Sequence, residues 1–303
     1  MNNLNTKCGF AVLIGKPNCG KSTLMNSILG YNLSIVTRKA QTTRNKILGI
    51  LTEDNYQIIF TDTPGLLDPK YELHKFMLKE IVTAVKSADV IIYVSDCTTV
   101  EQNIGNQLKN RLKTEFNSIP LILVLNKIDL KTKEEILEII EKYQKETDLS
   151  VGGFAEIVPV SAKNNYNIDE LKKVIVKYLD ESEFLFDRET LTDKTERFFV
   201  SEIIRQKVLE QFKEEIPYSV FVNITDFKER KEKKDYIEAE IIVERESQKA
   251  IIIGKRGESL RKLGESARSD IENFLSKKVY LKIFVKVRKN WKKDKNFLKT
   301  GYS

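Results

Sequence analysis

Histidine, tryptophan and cysteine are scarce in this 303-residue chain, which has one His, one Trp and three Cys. Cys8, Cys19 and Cys97 lack metal-ligand spacing, their odd number does not suit a disulfide framework, and with His74 as the sole imidazole no zinc site is expected. So few thiols without a framework imply a reducing, cytoplasmic setting. No run of 18 apolar residues is present, so nothing is expected to span a membrane, and residues 1–9 are too short and polar for a secretory signal. A disordered composition is missing too. With 41% hydrophobic and 31% charged residues the chain should fold, and its length suits two domains.

Charge is unevenly spread. Residues 1–190 hold 24 basic and 25 acidic side chains, whereas 191–303 hold 27 and 19, and within that part 251–303 carries 15 basic against 5 acidic. A neutral first part with a basic end predicts a polyanionic partner for the end.

Apolar runs at 10–14, 47–51, 57–61, 90–94, 121–125 and 156–160 read as strands. Amphipathic stretches at 21–29, 73–86, 102–115, 133–145 and 168–179 read as helices between them. Such alternation predicts an α/β domain over 1–180, with a mostly parallel sheet flanked by helices and ligands at the carboxyl ends of its strands. Residues 181–195 read as a linker in which Phe184, Leu185 and Phe186 pack on something. From 196 to 303 the pattern is a small α+β module in the order helix (196–212), strand (218–224), strand (236–245), helix, helix, strand (279–287). KERKEKKD is its solvated turn, and both middle helices are expected after GKRG.

GKPNCGKST satisfies the phosphate-loop pattern G-x-x-x-x-G-K-[ST] between an apolar strand and a helical stretch. Backbone N–H groups of Gly15, Lys16, Pro17, Asn18, Cys19, Gly20, Lys21, Ser22 and Thr23 (proline excepted) can curl around phosphates at a helix N-terminus. Lys21 can reach the terminal phosphates and Ser22 can ligate magnesium. The run LILVL ends in Asn126-Lys127-Ile128-Asp129. A carboxylate at 129 accepts the two adjacent donors of guanine, which adenine lacks, so guanine is the expected base. Asn126 can tie this segment to the phosphate loop, and the Lys127 stem can cover the ring. Ser161, Ala162 and Lys163 would offer backbone donors to the guanine oxygen.

In IIFTDTPGL, Asp62 can hold magnesium through water and the Gly65 N–H can reach a γ-phosphate, a contact that vanishes when the phosphate leaves. A hydroxyl of KAQTTRN could close over the metal. Thr43 is preferred, with Thr42 in competition because sequence cannot orient either.

Together GKPNCGKST, QTTRN, DTPGL, NKID and SAK, with GKRGESLRKLGESARSDIE, resemble the translation-factor-related GTPases and above all the bacterial Era family, over nearly the whole chain. The resemblance implies a GTPase domain followed by a type II KH domain, with GTP or GDP and Mg2+ as ligands. It implies GTP hydrolysis and a role in maturation of the 30S small ribosomal subunit through the 3′ end of 16S rRNA. For the lysine-rich tail it implies loose, peripheral attachment to the inner membrane. No oligomer seam is evident, so a monomer is expected.

Leu66 stands where many small GTPases have a water-orienting glutamine, a replacement the Era family shares. Catalysis is therefore expected from positioning and charge, through Lys21, magnesium, Thr43 and the Gly65 backbone. His74 reads as a surface or core residue. Asn18 resembles an asparagine that ligates K+ in related GTPases, its alternative being a plain turn residue.

In AIIIGKRGESLRKL, Gly254, Lys255, Arg256 and Gly257 lie between a strand and a helix and suit a single-stranded phosphate backbone, with Ile253 and its apolar neighbours walling a groove for bases. On the last strand Leu281, Ile283, Val285 and Val287 should face helices, while Lys282, Lys286 and Arg288 extend the RNA contact. Trp291 could stack on a base or cover the core.

Overall fold

A computed structural model describes residues 6–37, 39, 42–66, 71–99, 118–146, 153–231 and 233–301. The helix expected at 102–115 lies outside the described residues. By its contacts the chain divides into two compact units: 1–34, 43–68 and 77–193 form the first, and 35–42, 69–76 and 194–303 form the second.

The first unit is built on a six-stranded sheet in the order β2-β3-β1-β4-β5-β6. Its strands are β1 (Lys7–Ile14), β2 (Ile47–Thr52), β3 (Tyr56–Asp62), β4 (Val90–Asp96), β5 (Leu121–Asn126) and β6 (Glu156–Pro159). All neighbours are parallel except the edge strand β2, which runs antiparallel to β3. β1, β4 and β5 read as unbroken apolar runs because helices cover both faces. Val12, Leu13, Ile14, Ile91, Ile92, Leu123 and Val124 have no more than trace exposure. Each such side chain contributes roughly 1.5–3 kcal/mol when withdrawn from water.

The helices are α1 (Lys21–Leu29), α2 (Glu72–Lys86), α3 (Lys133–Glu146) and α4 (Ile168–Lys177). Ile168, Leu171 and Ile175 give α4 one buried face at helical spacing. Gly30 stops α1 in the left-handed region at φ 74°, its N–H bonding the Asn26 carbonyl at 2.9 Å.

The segment read as a linker is held to the first unit as far as Asp193. Buried Gln57 accepts from the backbone of Leu185 and Phe186 at 2.9 and 3.0 Å and donates to the Phe186 carbonyl at 2.8 Å. Phe184 and Phe186 pack against Cys8, Ile50 and Ile59, while Leu185 points to solvent.

The second unit has a three-stranded sheet, β7-β8-β9, made of β7 (Phe221–Lys228), β8 (Asp235–Val243) and β9 (Val279–Val287), the last two parallel. Its helices are α5 (Glu196–Gln211), α6 (Glu246–Ile253), α7 (Glu258–Leu275) and the short α8 (Lys295–Gly301). Val200, Ile204 and Val208 of α5 meet Ile252 and Leu263, Ala267 and Ile271 of α7 over the sheet's inner face.

Two expectations need correction, and one open alternative is decided. The strand expected at 218–224 begins later and runs to Lys228, because Ile216–Tyr218 forms a 3-10 turn around Pro217. GKRG sits between two helices rather than after a strand, since Ile251–Ile253 close α6. Only one of the two middle helices follows it. Trp291 is fully buried against Phe221 and Phe297 and is a core residue.

Candidate functional site

β1 delivers the chain into the loop 15–20, and α1 starts at Lys21. Gly15 and Gly20 have φ of 153° and 98°, and a Cβ on either would lie 2.3 Å from the Val94 carbonyl oxygen and 2.2 Å from Asn126 Nδ2 respectively. Both glycines are demanded by close approach. Asn18 also takes the left-handed region, at φ 63°. The Lys21 ammonium curls over the loop it belongs to, donating to the carbonyls of Gly15 and Lys16 at 3.1 and 3.0 Å.

Three oxygen-bearing side chains meet at the start of α1. Ser22 Oγ donates to Asp62 Oδ2 at 2.7 Å and lies 2.9 Å from Thr43 Oγ1, which is 3.4 Å from Asp62. Thr42 goes elsewhere: its hydroxyl lies 2.8 Å from that of Thr37 and donates to the Lys39 carbonyl at 2.6 Å. Asp62 is wholly buried and its Oδ1 has no hydrogen-bond partner. Burial pushes its pKa up, opposed by nearby Lys21 and the hydroxyls of Ser22 and Thr43. A buried carboxylate with a spare oxygen beside two hydroxyls is a fitting donor set for a hard divalent cation such as Mg2+. Gly65 closes on the phosphate loop. A Cβ there would lie 2.8 Å from Pro17, and the next N–H, of Leu66, donates to the Gly15 carbonyl at 3.0 Å.

Asn126 knits the base side together. Its Nδ2 donates to the Cys19 carbonyl at 3.0 Å, while Oδ1 accepts from the N–H groups of Lys127 (2.8 Å) and Ala162 (3.1 Å). Asp129 accepts from Ser161 Oγ at 2.5 Å, so the 126–129 and 161–163 segments are tied to each other. Lys127 has φ 66°, and its ammonium reaches Asp96 Oδ2 at 2.5 Å and the Asn18 carbonyl at 2.8 Å. Asp96 was not among the sequence candidates, although a carboxylate at the carboxyl end of a central parallel strand is a signal for such a role. His74 is buried, its ring tilted at 33° against that of Tyr71 with 3.8 Å between centroids.

In the second unit Gly254, Arg256 and Gly257 take positive φ of 71°, 52° and 78°, turning the chain sharply from α6 into α7. A Cβ on Gly254 would come within 2.5 Å of that of Ser259. A groove between α7 and the edge strand β9 is lined by Gly257, Leu260, Arg261, Gly264, Glu265, Arg268, Leu281, Lys282 and Ile283. Arg261, Gly264 and Arg268 escaped the sequence reading, though their i, i+3, i+7 spacing marks one face of a helix. Lys286 and Arg288 do not line this groove. Lys286 pairs with Glu240, and Arg288 pairs with Asp294 at 2.7 Å and covers Phe297. Ile253 packs against the core cluster rather than standing open, whereas Ile251 is half exposed.

Two family models match the chain: a 50S ribosome-binding GTPase family over residues 10–127 and a KH domain over 215–292. A Clostridium kluyveri GTPase Era is 44% identical, covering 98% of this chain and 99% of that protein. The Zea mays chloroplastic GTPase ERA1 is 43% identical, covering 98% of this chain and 71% of its own length. Among solved structures, Era in complex with MgGDPNP and nucleotides 1506–1542 of 16S ribosomal RNA matches with a TM-score of 0.91 at 37% identity, covering 98% of both chains. An Aquifex aeolicus Era variant bound to GDP.AlF4- matches with a TM-score of 0.90 at 36% identity, covering 98% of this chain and 99% of that one.

Proposed function

We propose, for a chain that belongs to the Era family of GTPases, that GTP hydrolysis in its first unit times the hold of its second unit on the 3′ end of 16S rRNA during 30S assembly. The observation that carries this reading is the pairing, in one chain, of a guanine-nucleotide site with a basic groove beside a GxxG turn. The solved Era structure with MgGDPNP and 16S rRNA nucleotides, similar over 98% of both chains, supports the same partner.

The chain is a GTPase, and its residues take the following parts. Asp129 accepts from guanine, with Asn126 holding that segment against Cys19. Gly15 to Thr23 wrap the phosphates, and Lys21 moves from its loop carbonyls to the terminal phosphates. Ser22, Thr43 and Asp62 would hold the metal ion, which supplies charge neutralisation at the phosphates when bound. Leu66 has no polar atom to orient water, so backbone groups near Gly65 and the charge of Lys21 carry that burden. Asn18, set in the left-handed region beside the phosphates, would add a K+ ligand.

In the second unit Gly254 to Gly257 admit a phosphate backbone, Arg261, Arg268 and Lys282 neutralise it, and Leu260, Leu281 and Ile283 face bases. The reading keeps a GTPase domain over 1–180, a linker over 181–195 and a KH domain over 196–303, in a protein that acts as a cytoplasmic monomer. Its lysine-rich end suits an anionic membrane surface, and no helix among the described residues is long and apolar enough to cross one.

GTP turnover with and without a single-stranded RNA copied from the 3′ end of 16S rRNA tests the whole reading. Stimulation that a Gly254→Asp, Gly257→Asp double variant abolishes is the expected result. Turnover and binding that ignore this RNA would overturn it, and equal rates in potassium and sodium would remove the K+ role of Asn18.

A further inference from the structure

Lys127 is held at both ends by two consecutive residues, the last of β4 and the one that follows it. Its ammonium meets Asp96 Oδ2 at 2.5 Å, and its carbonyl accepts from Cys97 Sγ at 3.0 Å. The Cys97 backbone N–H donates to the Asn126 carbonyl, also at 3.0 Å. Burial pushes the Cys97 thiol up to about 11, aided by Asp96 and Asp129, so it stays protonated and donates. Asp96 stands opposite Asn126 in the β4–β5 register, at the carboxyl end of the sheet.

Asp96 is itself fixed. Its Oδ1 accepts from the Thr98 N–H at 2.8 Å and the Thr98 hydroxyl at 2.7 Å, leaving Oδ2 for Lys127. Burial acts to raise its pKa, but the bonds from Lys127 and Thr98 outweigh it and hold the carboxyl below its usual value. The side chains are 12% exposed for Asp96 and 33% for Lys127, a partly dry setting in which such a pair persists.

We propose that Asp96 is a positioning residue for guanine nucleotide, locking the Lys127 side chain across the gap between the base segment and the phosphate loop before nucleotide arrives. The proposal rests on the reading of residues 126–129 as the guanine site. The physical reason is the long Lys stem. Free, it samples many rotamers, and nucleotide binding would then have to order it. Tied to Asp96, the same ammonium also reaches the Asn18 carbonyl, so one cation joins three separate loops. Asn126 ties the base segment to Cys19, and Lys127 with Asp96 ties it to Asn18 next door, giving the two halves of the site a two-point join. Asp96 touches no nucleotide in this scheme, so its loss should change affinity and leave chemistry alone.

The test is titration of fluorescent GDP into wild type, Asp96→Asn and Thr98→Val, repeated in a Lys127→Met background, with turnover measured at saturating GTP. Asp96→Asn is expected to weaken GDP about tenfold, through faster release, with kcat unchanged. Thr98→Val, which keeps the charge, should change affinity by less than about twofold. In the Lys127→Met background Asp96→Asn should add nothing, because its partner is gone. Should Asp96→Asn fold poorly, Asp96→Ser retains an acceptor for Thr98 and carries the same comparison. Unchanged GDP affinity in Asp96→Asn, an equal loss in the Lys127→Met background, or a fall in kcat at saturation each overturns the proposal. A wild-type protein that fails to bind GDP at all would instead overturn the guanine reading, and the proposal with it.

Discussion

The Asn126 side chain spans 107 positions of sequence to donate to the Cys19 carbonyl at 3.0 Å, and Gly20 lies directly beneath that contact. The base-reading segment and the phosphate loop are thus one object. A Cβ at Gly20 would fall 2.2 Å from Asn126 Nδ2, at a φ of 98° that side chains avoid. Gly20→Ala should therefore damage both halves at once. Its GDP affinity is expected to fall by more than about tenfold, since strain of this kind costs about 1–3 kcal/mol. Thermal shift with and without GDP reads it: the variant should lose most of the GDP-induced rise and should also unfold a few degrees lower without nucleotide, because the strain is present in the folded state.

Asp62 makes a prediction with opposite signs in two conditions. Burial raises its folded pKa above the ordinary value of 3.8. The folded state then binds the proton more tightly than the unfolded one. Its destabilising effect is absent below the unfolded pKa and grows as pH rises through the folded pKa. Without metal, Asp62→Asn should unfold at a higher temperature than wild type at neutral pH, by roughly 2–4 °C. That advantage should shrink as the pH is lowered toward 4. With Mg2+ and GTP the order reverses, because the variant has lost a metal-holding charge, and its turnover should fall by about 100-fold or more. A differential scan across pH, paired with a phosphate-release assay, checks both halves.

Thr42 and Thr43 are indistinguishable in sequence and clearly separated in space. Thr43 shares a hydrogen-bonded cluster with Ser22 and Asp62, while Thr42 is bound to Thr37 and Lys39. Thr43→Ala should lower single-turnover hydrolysis by about 10- to 100-fold and leave GDP affinity within about threefold, since a metal-closing hydroxyl matters for the triphosphate. Thr42→Val should do much less to the chemical step. Parallel single-turnover traces for the two variants decide it.

Trp291 is the sole tryptophan and has no exposed surface, its indole N–H donating to the Ser219 carbonyl at 3.4 Å. Trp291→Ala should destabilise the second unit by about 3–5 kcal/mol through the cavity it leaves. In the wild-type protein its fluorescence should resist acrylamide and become quenchable only on unfolding. Quenching in the native state would contradict its burial.

What the sequence disclosed depended on whether local pattern or distant pairing decides the outcome. The six strands of the first sheet were legible because each is a continuous apolar run between polar turns, and the phosphate loop because its glycines have a fixed spacing. The groove was half legible: GKRG was visible, but apolar Ile251–Ile253 look like a strand until Gln248 is seen accepting from the backbone of Glu244 and Arg245 to start a helix there. The partner of Asp96 lies 31 positions away, so its place at the end of an apolar strand hinted at a role without naming Lys127, and Gln57 was invisible, its partner lying 129 positions away. The strand cations misled for the same reason. Alternation placed Lys282 and Lys286 on one side correctly, but only the β8–β9 register reveals the glutamates beside them.

That register leads to the final prediction. The Lys286 ammonium pairs with Glu240 away from the groove, whereas Lys282, whose ammonium lies 3.8 Å from Glu238, lines the groove itself. Arg261 and Arg268 project from α7 into the groove beside its GxxG end. Glu265 lines the groove between them, but Arg261, Arg268 and Lys282 outnumber it, and a polyanion gains most where cations outnumber the acids around them and its phosphates release condensed counterions. Arg268→Ala should therefore weaken binding of the 16S 3′-end RNA several-fold and lower the salt slope of log K by about one. Lys286→Ala removes a charge that already serves Glu240, and should leave the slope unchanged and the affinity within about twofold. Fluorescence anisotropy with labelled RNA over a salt series distinguishes the two. Equal losses in both variants would mean that the RNA crosses the outer face of the sheet as well as the groove.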